Sequence, residues 1–412
     1  MRYASSRVSG LFVIATGVLS LVALAEPSDQ PAPQLQLRSY ALHGQVDAAE
    51  ISPDEKLVAV QVTRSEPGNG GSGTRFVELA QLWDFRADRM LAETVLEEVF
   101  SAKPRLRPAM RAPRTVRFSA DGELVVIYLD HRLHVLKADD LREVRSIPMN
   151  GPPAMTPSES SIGMPWLTNL EISPRAHQVA LVWATELEVY DLDSGRRLNQ
   201  WGTKELHLGV HNPSGLAWES DGQHLAVAVP NTFACSSPDN TPDVFVVDAA
   251  SGKVTLSFST GLTVSAIAIT PDSRLWAVDD NCLGAFKNHH PKMKVFDLNK
   301  GKPVKQISGR DSGIRYAVST SRDGGRVVAY TGRMRVSFDW LDMTAWGVPV
   351  DQTFSVWNGH DYQPVATSQD LGPVKDWVGR VPRLNLRLSS AGHFVLFNSA
   401  IYELPETSAI ER

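Results

Sequence analysis

Cysteine is almost missing: Cys235 and Cys282 are the only two among 412 residues. A disulfide-dense scaffold is thereby excluded, and without a C-x-x-C pair so are the common thiolate metal and redox sites. No H-E-x-x-H, no G-x-S-x-G turn and no glycine-rich phosphate loop can be read. "PGNGGSG" at 67–73 has the glycines of such a loop but does not lead from a strand into a helix. No catalytic residue, cofactor or metal ligand set is therefore assigned. An excess of basic charge is also lacking, since 41 Lys and Arg face 46 Asp and Glu for a net charge of −5. No global positive field argues for nucleic acid as a partner.

Long apolar runs are missing with one exception. Arg2 and Arg7 precede "LFVIATGVLSLVALA" (Leu11–Ala25), which ends in the small residues "ALA". This reads as a signal peptide over 1–25, with the mature chain starting at Glu26 and carrying a charge of −7 once the two arginines are removed. The run is short for a membrane span, no cysteine follows the cut and no twin arginine precedes it. The expected location is the periplasm or the exterior, with no stable membrane span after cleavage; an uncleaved anchor is the alternative. "EPSDQPAPQ" (26–34) reads as a flexible leader.

What is present is a repeat. "SPDEKLVAV" starts at Ser52, "SADGELVVI" at Ser119, "SPRAHQVAL" at Ser173 and "ESDGQHLAV" at Glu219. "TPDSRLWAV" follows at Thr270, "SRDGGRVVAY" at Ser321 and "SSAGHFVLF" at Ser389. Each is a tight turn favoured by Pro, Asp and Gly, followed by a Val-rich run that reads as a strand buried on both faces. Downstream of most lies a second strand ending in an Asp/Asn/Gly turn, such as "LEVYDLDSG" or "VFVVDAASG", and then a more polar strand. The unit is four antiparallel strands, a to d, with d the most polar. Such sheets bury both faces only by stacking on neighbours, which predicts an all-β, seven-bladed β-propeller of four-stranded antiparallel blades over 35–412. The last unit runs out after three strands, and "LQLRSYAL" (Leu35–Leu42) is expected to supply its fourth and close the ring.

The "SPDG-K-LA" and "V-x-D-x-x-S/T-G-K" turns resemble those of bacterial WD-repeat-like propellers, also called YVTN-type, within the amine-dehydrogenase-like superfamily. The resemblance covers nearly all of the mature chain and implies a fold rather than an activity. It permits lactonase-like hydrolases and quinoprotein subunits without indicating either. The match to eukaryotic WD repeats is looser, because "LWDF" at 82–85 holds the only Trp-Asp dipeptide.

Extra residues concentrate in b–c connections (64–75, 230–243, 279–292, 332–351) and d–a connections (102–114, 150–166, 370–383). In a propeller both types emerge on one face, and binding gathers on loops held by a rigid frame. These segments carry Arg105, Arg107, Arg111 and Arg114, then Trp166, Trp340, Trp346, Trp377 and Arg380. Arg and Trp dominate many interfaces, and Arg suits carboxylates. A monomeric scaffold that binds a protein or acidic ligand on this face is expected. The alternative for these residues is plainer: Trp side chains that pin loops and solvated Arg. Cys235 and Cys282 fall in matching b–c connections of consecutive blades and are expected to form a disulfide. Asp239, Asp243, Asp279 and Asp280 could together hold calcium, although loop acids more often serve turns. His211, His289 and His290 read as surface residues. The rival function is a periplasmic, lactonase-like hydrolase with a metal in the central channel.

Overall fold

The computed structural model describes residues 34–35, 37–43, 46–67, 73–101, 115–129, 131–149, 167–183, 186–202, 213–229, 241–279, 292–308, 317–339, 344–368, 371 and 386–405. Two short strands come first, β1 (Gln34–Leu35) and β2 (Ser39–Ala41). Blade 1 is β3 (Val46–Ile51), β4 (Leu57–Pro67), β5 (Thr74–Asp84) and β6 (Arg89–Ser101). Blade 2 is β7 (Thr115–Phe118), β8 (Leu124–Leu129), β9 (Arg132–Lys137) and β10 (Glu143–Pro148). Blade 3 is β11 (Leu167–Ile172), β12 (Gln178–Trp183), β13 (Glu186–Asp191) and β14 (Arg197–Gly202). Blade 4 is β15 (Gly215–Trp218), β16 (His224–Ala228), β17 (Val244–Asp248) and β18 (Val254–Phe258). Blade 5 is β19 (Val264–Thr270), β20 (Arg274–Asp279), β21 (Lys292–Asp297) and β22 (Lys302–Ser308). Blade 6 is β23 (Val318–Thr320), β24 (Arg326–Asp339), β25 (Thr344–Asn358) and β26 (Pro364–Ser368). Blade 7 is β27 (Leu386–Leu388), β28 (Phe394–Phe397) and β29 (Ala400–Glu403), completed by β2.

The chain is thus a seven-bladed propeller of antiparallel four-stranded sheets. Among the described residues no helix is long and apolar enough to cross a membrane. Each core cluster sits between two consecutive blades. Val126 and Tyr128 of blade 2 meet Leu170 and Val179 of blade 3, and so on around the ring. The last cluster joins Phe394, Leu396 and Ile401 of blade 7 to Ile51, Val58 and Val60 of blade 1. Burial follows the pattern of the runs: strands b such as β8 and β12 are buried after their first residue, while the outer β10 and β14 alternate with solvent.

The recurring turn closes for a local reason. Ser52 Oγ donates to Asp54 Oδ1 (2.7 Å) and accepts from Leu57 N (2.9 Å), while Asp54 Oδ1 accepts from Lys56 N. Ser119 with Asp121 and Ser321 with Asp323 repeat the same bonds. Ser and Asp at this spacing satisfy the backbone donors that the reversal leaves open.

The ring closes as the sequence predicts, with β2 antiparallel to β29. One feature differs from the single strand expected over 35–42. Leu35 pairs with Ser368 on the outer edge of blade 6, parallel to β26, so the segment is clasped by two blades in turn. Segment 332–351 also departs from the expected loop. It continues β24 and β25 as one hairpin, with Phe338 opposite Ala345, because its β-branched and aromatic residues suit a pleated ladder.

Candidate functional site

Every a–b connection is a tight turn, and the c–d connections from blade 1 to blade 6 are equally short. The long connections join b to c or d to a. Up-and-down strand order puts both of those types at one end of the blades and both tight types at the other. Arg105, Arg107, Arg111 and Arg114 fall between β6 and β7, Trp166 between β10 and β11, and Trp377 and Arg380 between β26 and β27. All of these, with Trp340, Cys235 and Cys282, lie outside the described residues, as do His211, His289 and His290. Cys235 stands between β16 and β17 and Cys282 between β20 and β21, the b–c connections of blades 4 and 5. Trp346 is in β25, opposite Ser337.

The two described members of the aspartate set have other employment. Asp243 accepts the N–H and hydroxyl of Thr260 (2.8 and 2.6 Å), and Asp279 accepts the N–H of Thr263 (3.0 Å). They staple the short connection between blades 4 and 5 instead of turning outward together. Burial raises the Asp243 carboxyl to about 6, with the Thr260 bonds pulling it back. Asp239 and Asp280 lie outside the described residues.

The described structure also gathers charge in the central channel. The inner strands β3, β7, β11, β15, β19, β23 and β27 follow one another around that channel. As edge strands they turn unpaired N–H and C=O groups inward, and these need partners. The residue two places before each turn supplies some of them. Glu50 accepts from Phe118 N on the next blade (2.7 Å), and Ser319 accepts from Leu388 N (3.0 Å). Residues one place before the turn reach backwards: Trp218 Nε1 donates to Glu171 O and Thr320 Oγ1 to Ile269 O.

Read around the ring, the first of these positions holds Glu50, Arg117, Glu171, Ala217, Ala268, Ser319 and Arg387. Blades 7, 1, 2 and 3 therefore alternate Arg, Glu, Arg, Glu, and blades 4 to 6 offer only small side chains. Arg117 Nη2 and Arg387 Nη2 both donate to Glu171 Oε1, at 3.2 and 2.7 Å. Arg117 is buried, its Nη1 donates to Val116 O, and its Nε has no partner. Burial pushes the Glu50 and Glu171 carboxyls up to about 7, with Arg117 drawing each back and Glu50 adding to the rise at Glu171.

Above this cluster, at the tight-turn end, is a cavity of about 240 Å³. Its collar is Ile51, Phe118, Ile172, Trp218, Ile269, Thr320 and Leu388, the residues one place before the turns. Arg322, exposed on the blade 6 turn, spans the mouth: Nη1 donates to Ala120 O on blade 2 (2.8 Å) and Nη2 to Pro174 O on blade 3 (3.4 Å). The surrounding face is knit blade to blade. Arg175 Nε donates to Ser220 O, Ser220 Oγ to Pro271 O, and Arg326 to Gly392 O and Pro405 O. His177 joins Asp121 and Asp193, and His393 joins Glu55. Glu219, Asp221 and His224 lie close enough to share a cation. However, Asp221 already accepts from Gln223 N, His224 N and the His224 ring, so the group caps its own turn.

The channel cluster escapes a motif search because its members are 67, 54 and 216 residues apart in register. The available signal was positional: charged residues in a strand that otherwise reads apolar, always two places before the turn.

No family model matches the chain, and no curated protein does. Solved structures do. A chain of a mitotic checkpoint complex is similar over 97% of this chain and 99% of its own, with a TM-score of 0.54 and 14% identity. Raptor of Chaetomium thermophilum is similar over 91% of this chain but only 29% of its own, with a TM-score of 0.58 and 10% identity. Both are WD-repeat-like propeller neighbours, and at such identities the likeness concerns the fold.

Proposed function

We propose that the protein is an exported interaction scaffold, a propeller that docks a protein or acidic partner on the side of its long b–c and d–a connections. The observation that carries this reading is the one-sidedness of the connections. Tight turns at one end are tied blade to blade by Arg175, Ser220, Arg326 and His393, while every lengthened connection belongs to the other end. A rigid disc with loops on one side is the arrangement that binding proteins use. One fold neighbour is a chain of a mitotic checkpoint complex, which agrees with such a role.

Export to the periplasm or exterior is proposed on Arg2, Arg7 and the apolar run to Ala25. Membership of the bacterial YVTN-type group is proposed on the two turn motifs, and a monomer with a Cys235–Cys282 disulfide completes the reading. The rival, a hydrolase with a channel metal, finds no support at the described end of the channel. There Glu171 is held by two guanidiniums, whose charge repels a divalent cation.

The test is affinity capture from the exported fraction of the native host. Wild-type bait is compared with a variant in which Arg105, Arg107, Arg111 and Arg114 are changed to Glu. A partner held by the first and lost by the second supports the reading. Equal capture by both removes the basic segment from it, and capture by neither removes the scaffold role.

A further inference from the structure

The channel mouth combines features that a purely structural plug does not need. Three guanidiniums, from Arg117, Arg322 and Arg387, stand against two carboxylates, Glu50 and Glu171. Of these, Arg322, Arg387 and Glu50 line the cavity itself, and Arg117 and Glu171 stand behind Arg387. With both carboxyls ionised the surplus is one positive charge, and it grows as they take up protons. At roughly 30 Å³ per water, the cavity has room for about eight water molecules. Ala217 and Ala268 cannot do for the N–H groups of Ile269 and Thr320 what Glu50 and Ser319 do for Phe118 and Leu388. The collar is apolar apart from Thr320 and includes the rings of Phe118 and Trp218. Arg322 is exposed, and its guanidinium is held across the mouth only by two backbone carbonyls, the longer bond being 3.4 Å.

We propose that this mouth is a binding site for a small organic monocarboxylate, with Arg322 and Arg387 receiving the carboxylate and the Phe118–Trp218 side of the collar receiving its apolar body. A guanidinium fork matches a carboxylate with two parallel bonds. With Arg322 lying over the cavity, the ligand is taken in whole, not as the end of a longer chain. Protonation reinforces the site. Glu50 and Glu171, raised to about 7 by burial, take up protons below that pH, which loosens the hold of Glu171 on Arg387. The site is independent of the scaffold reading, since it lies at the opposite end of the blades from the long connections.

The probe is phenylacetate, titrated calorimetrically into the full chain at pH 6 and pH 8, with phenylacetamide and inorganic phosphate as controls. The expected result is one saturable site with Kd at or below about 1 mM at pH 6. Binding should be at least threefold weaker at pH 8, undetectable for the amide, and weaker for phosphate. Arg322→Ala should cost tenfold or more in affinity with an unchanged melting temperature. Arg322→Lys, which keeps the charge but not the fork, should fall between and also serves if the alanine variant does not fold. Equal binding of acid and amide, unaltered affinity in both Arg322 variants, or no saturation by phenylacetate overturns the proposal.

Discussion

Arg387 of blade 7 meets Glu171 of blade 3 at 2.7 Å, a bond between residues 216 positions apart that crosses the centre of the ring. Arg117 of blade 2 donates to the same oxygen at 3.2 Å. The cluster therefore joins non-adjacent blades, whereas the seven apolar cores join only neighbours. Removing its acceptor leaves two guanidiniums facing each other in a narrow channel. Glu171→Ala is expected to cost about 2–3 kcal/mol, somewhat below the full penalty for a broken buried pair because channel water reaches the site. A double-mutant cycle with Arg387→Met, read by urea unfolding, should give a coupling of about 1–2 kcal/mol. A coupling near zero would mean that the pair does not tie the blades.

The pH dependence of this cluster has a definite sign. A carboxyl raised to about 7 in the folded state and near its ordinary value in the unfolded chain contributes stability that is fully present below the unfolded value. That contribution is lost as pH rises through about 7. Wild-type stability should fall by about 2–3 kcal/mol between pH 5 and 8 from one such carboxyl. Glu50→Gln, which can still accept from Phe118 N, should flatten the fall and be the more stable protein at pH 8. Melting curves across that range check both statements.

His177 predicts a loss at higher pH. Its ring bonds Asp193 and Asp121, and these bonds raise it to about 9 against opposing burial. Its contribution is complete below about 6.5 and disappears as pH rises through about 9. Asp121, which burial alone would raise, is held near 2 by Ser119, Glu123 N–H and His177, so the acid side of this bridge persists well below pH 4. Because Asp193 is exposed, His177→Gln should cost only about 1 kcal/mol at pH 6 and almost nothing at pH 10. An equal cost at both values would contradict the ion-pair account.

Gly252 marks a close approach between blades 3 and 4. Its φ is +71°, and a Cβ there would run into the indole of Trp201. Gly252→Ala must strain the backbone and displace the indole at once, so a loss of at least about 2 kcal/mol is expected. Gly261, also at positive φ but with only the Lys294 amino group nearby at 3.4 Å, should lose less on the same change. Chemical denaturation of the two variants side by side checks the difference.

Closure by the N-terminal segment can be tested by its removal. Tyr40 packs edge-on against Phe85, and β2 covers the outer edge of β29. Deletion of residues 34–42 exposes that edge and part of the core between blades 7 and 1. A loss of about 2–4 kcal/mol is expected, with aggregation through the freed strand. A synthetic peptide of the deleted residues should restore part of the melting temperature.

Local chemistry alone determined much of this protein. Ser or Thr with Asp two places on, ahead of a Val-rich run, is a turn-and-strand unit that closes by its own hydrogen bonds wherever it occurs. Four of the seven turns have this pair and the other three keep the same place ahead of an apolar run, so seven turn-and-strand units, with three strands at one end of the chain and a spare at the other, already specify a closed propeller. The placement of Cys235 and Cys282 in the b–c connections of neighbouring blades was legible for the same reason. The tertiary structure decided what faces the channel. Glu50, Arg117, Glu171 and Arg387 are ordinary charged residues in ordinary strands until the ring brings their register positions together. Arg322, one place into the Ser321 turn, reads as an ordinary turn residue, like Arg175 of the Ser173 turn, which bonds only the next blade through Ser220 O. Only closing the circle sets Arg322 across from Ala120 and Pro174, because contacts over the diameter of a propeller depend on blade number and curvature, which no single repeat encodes.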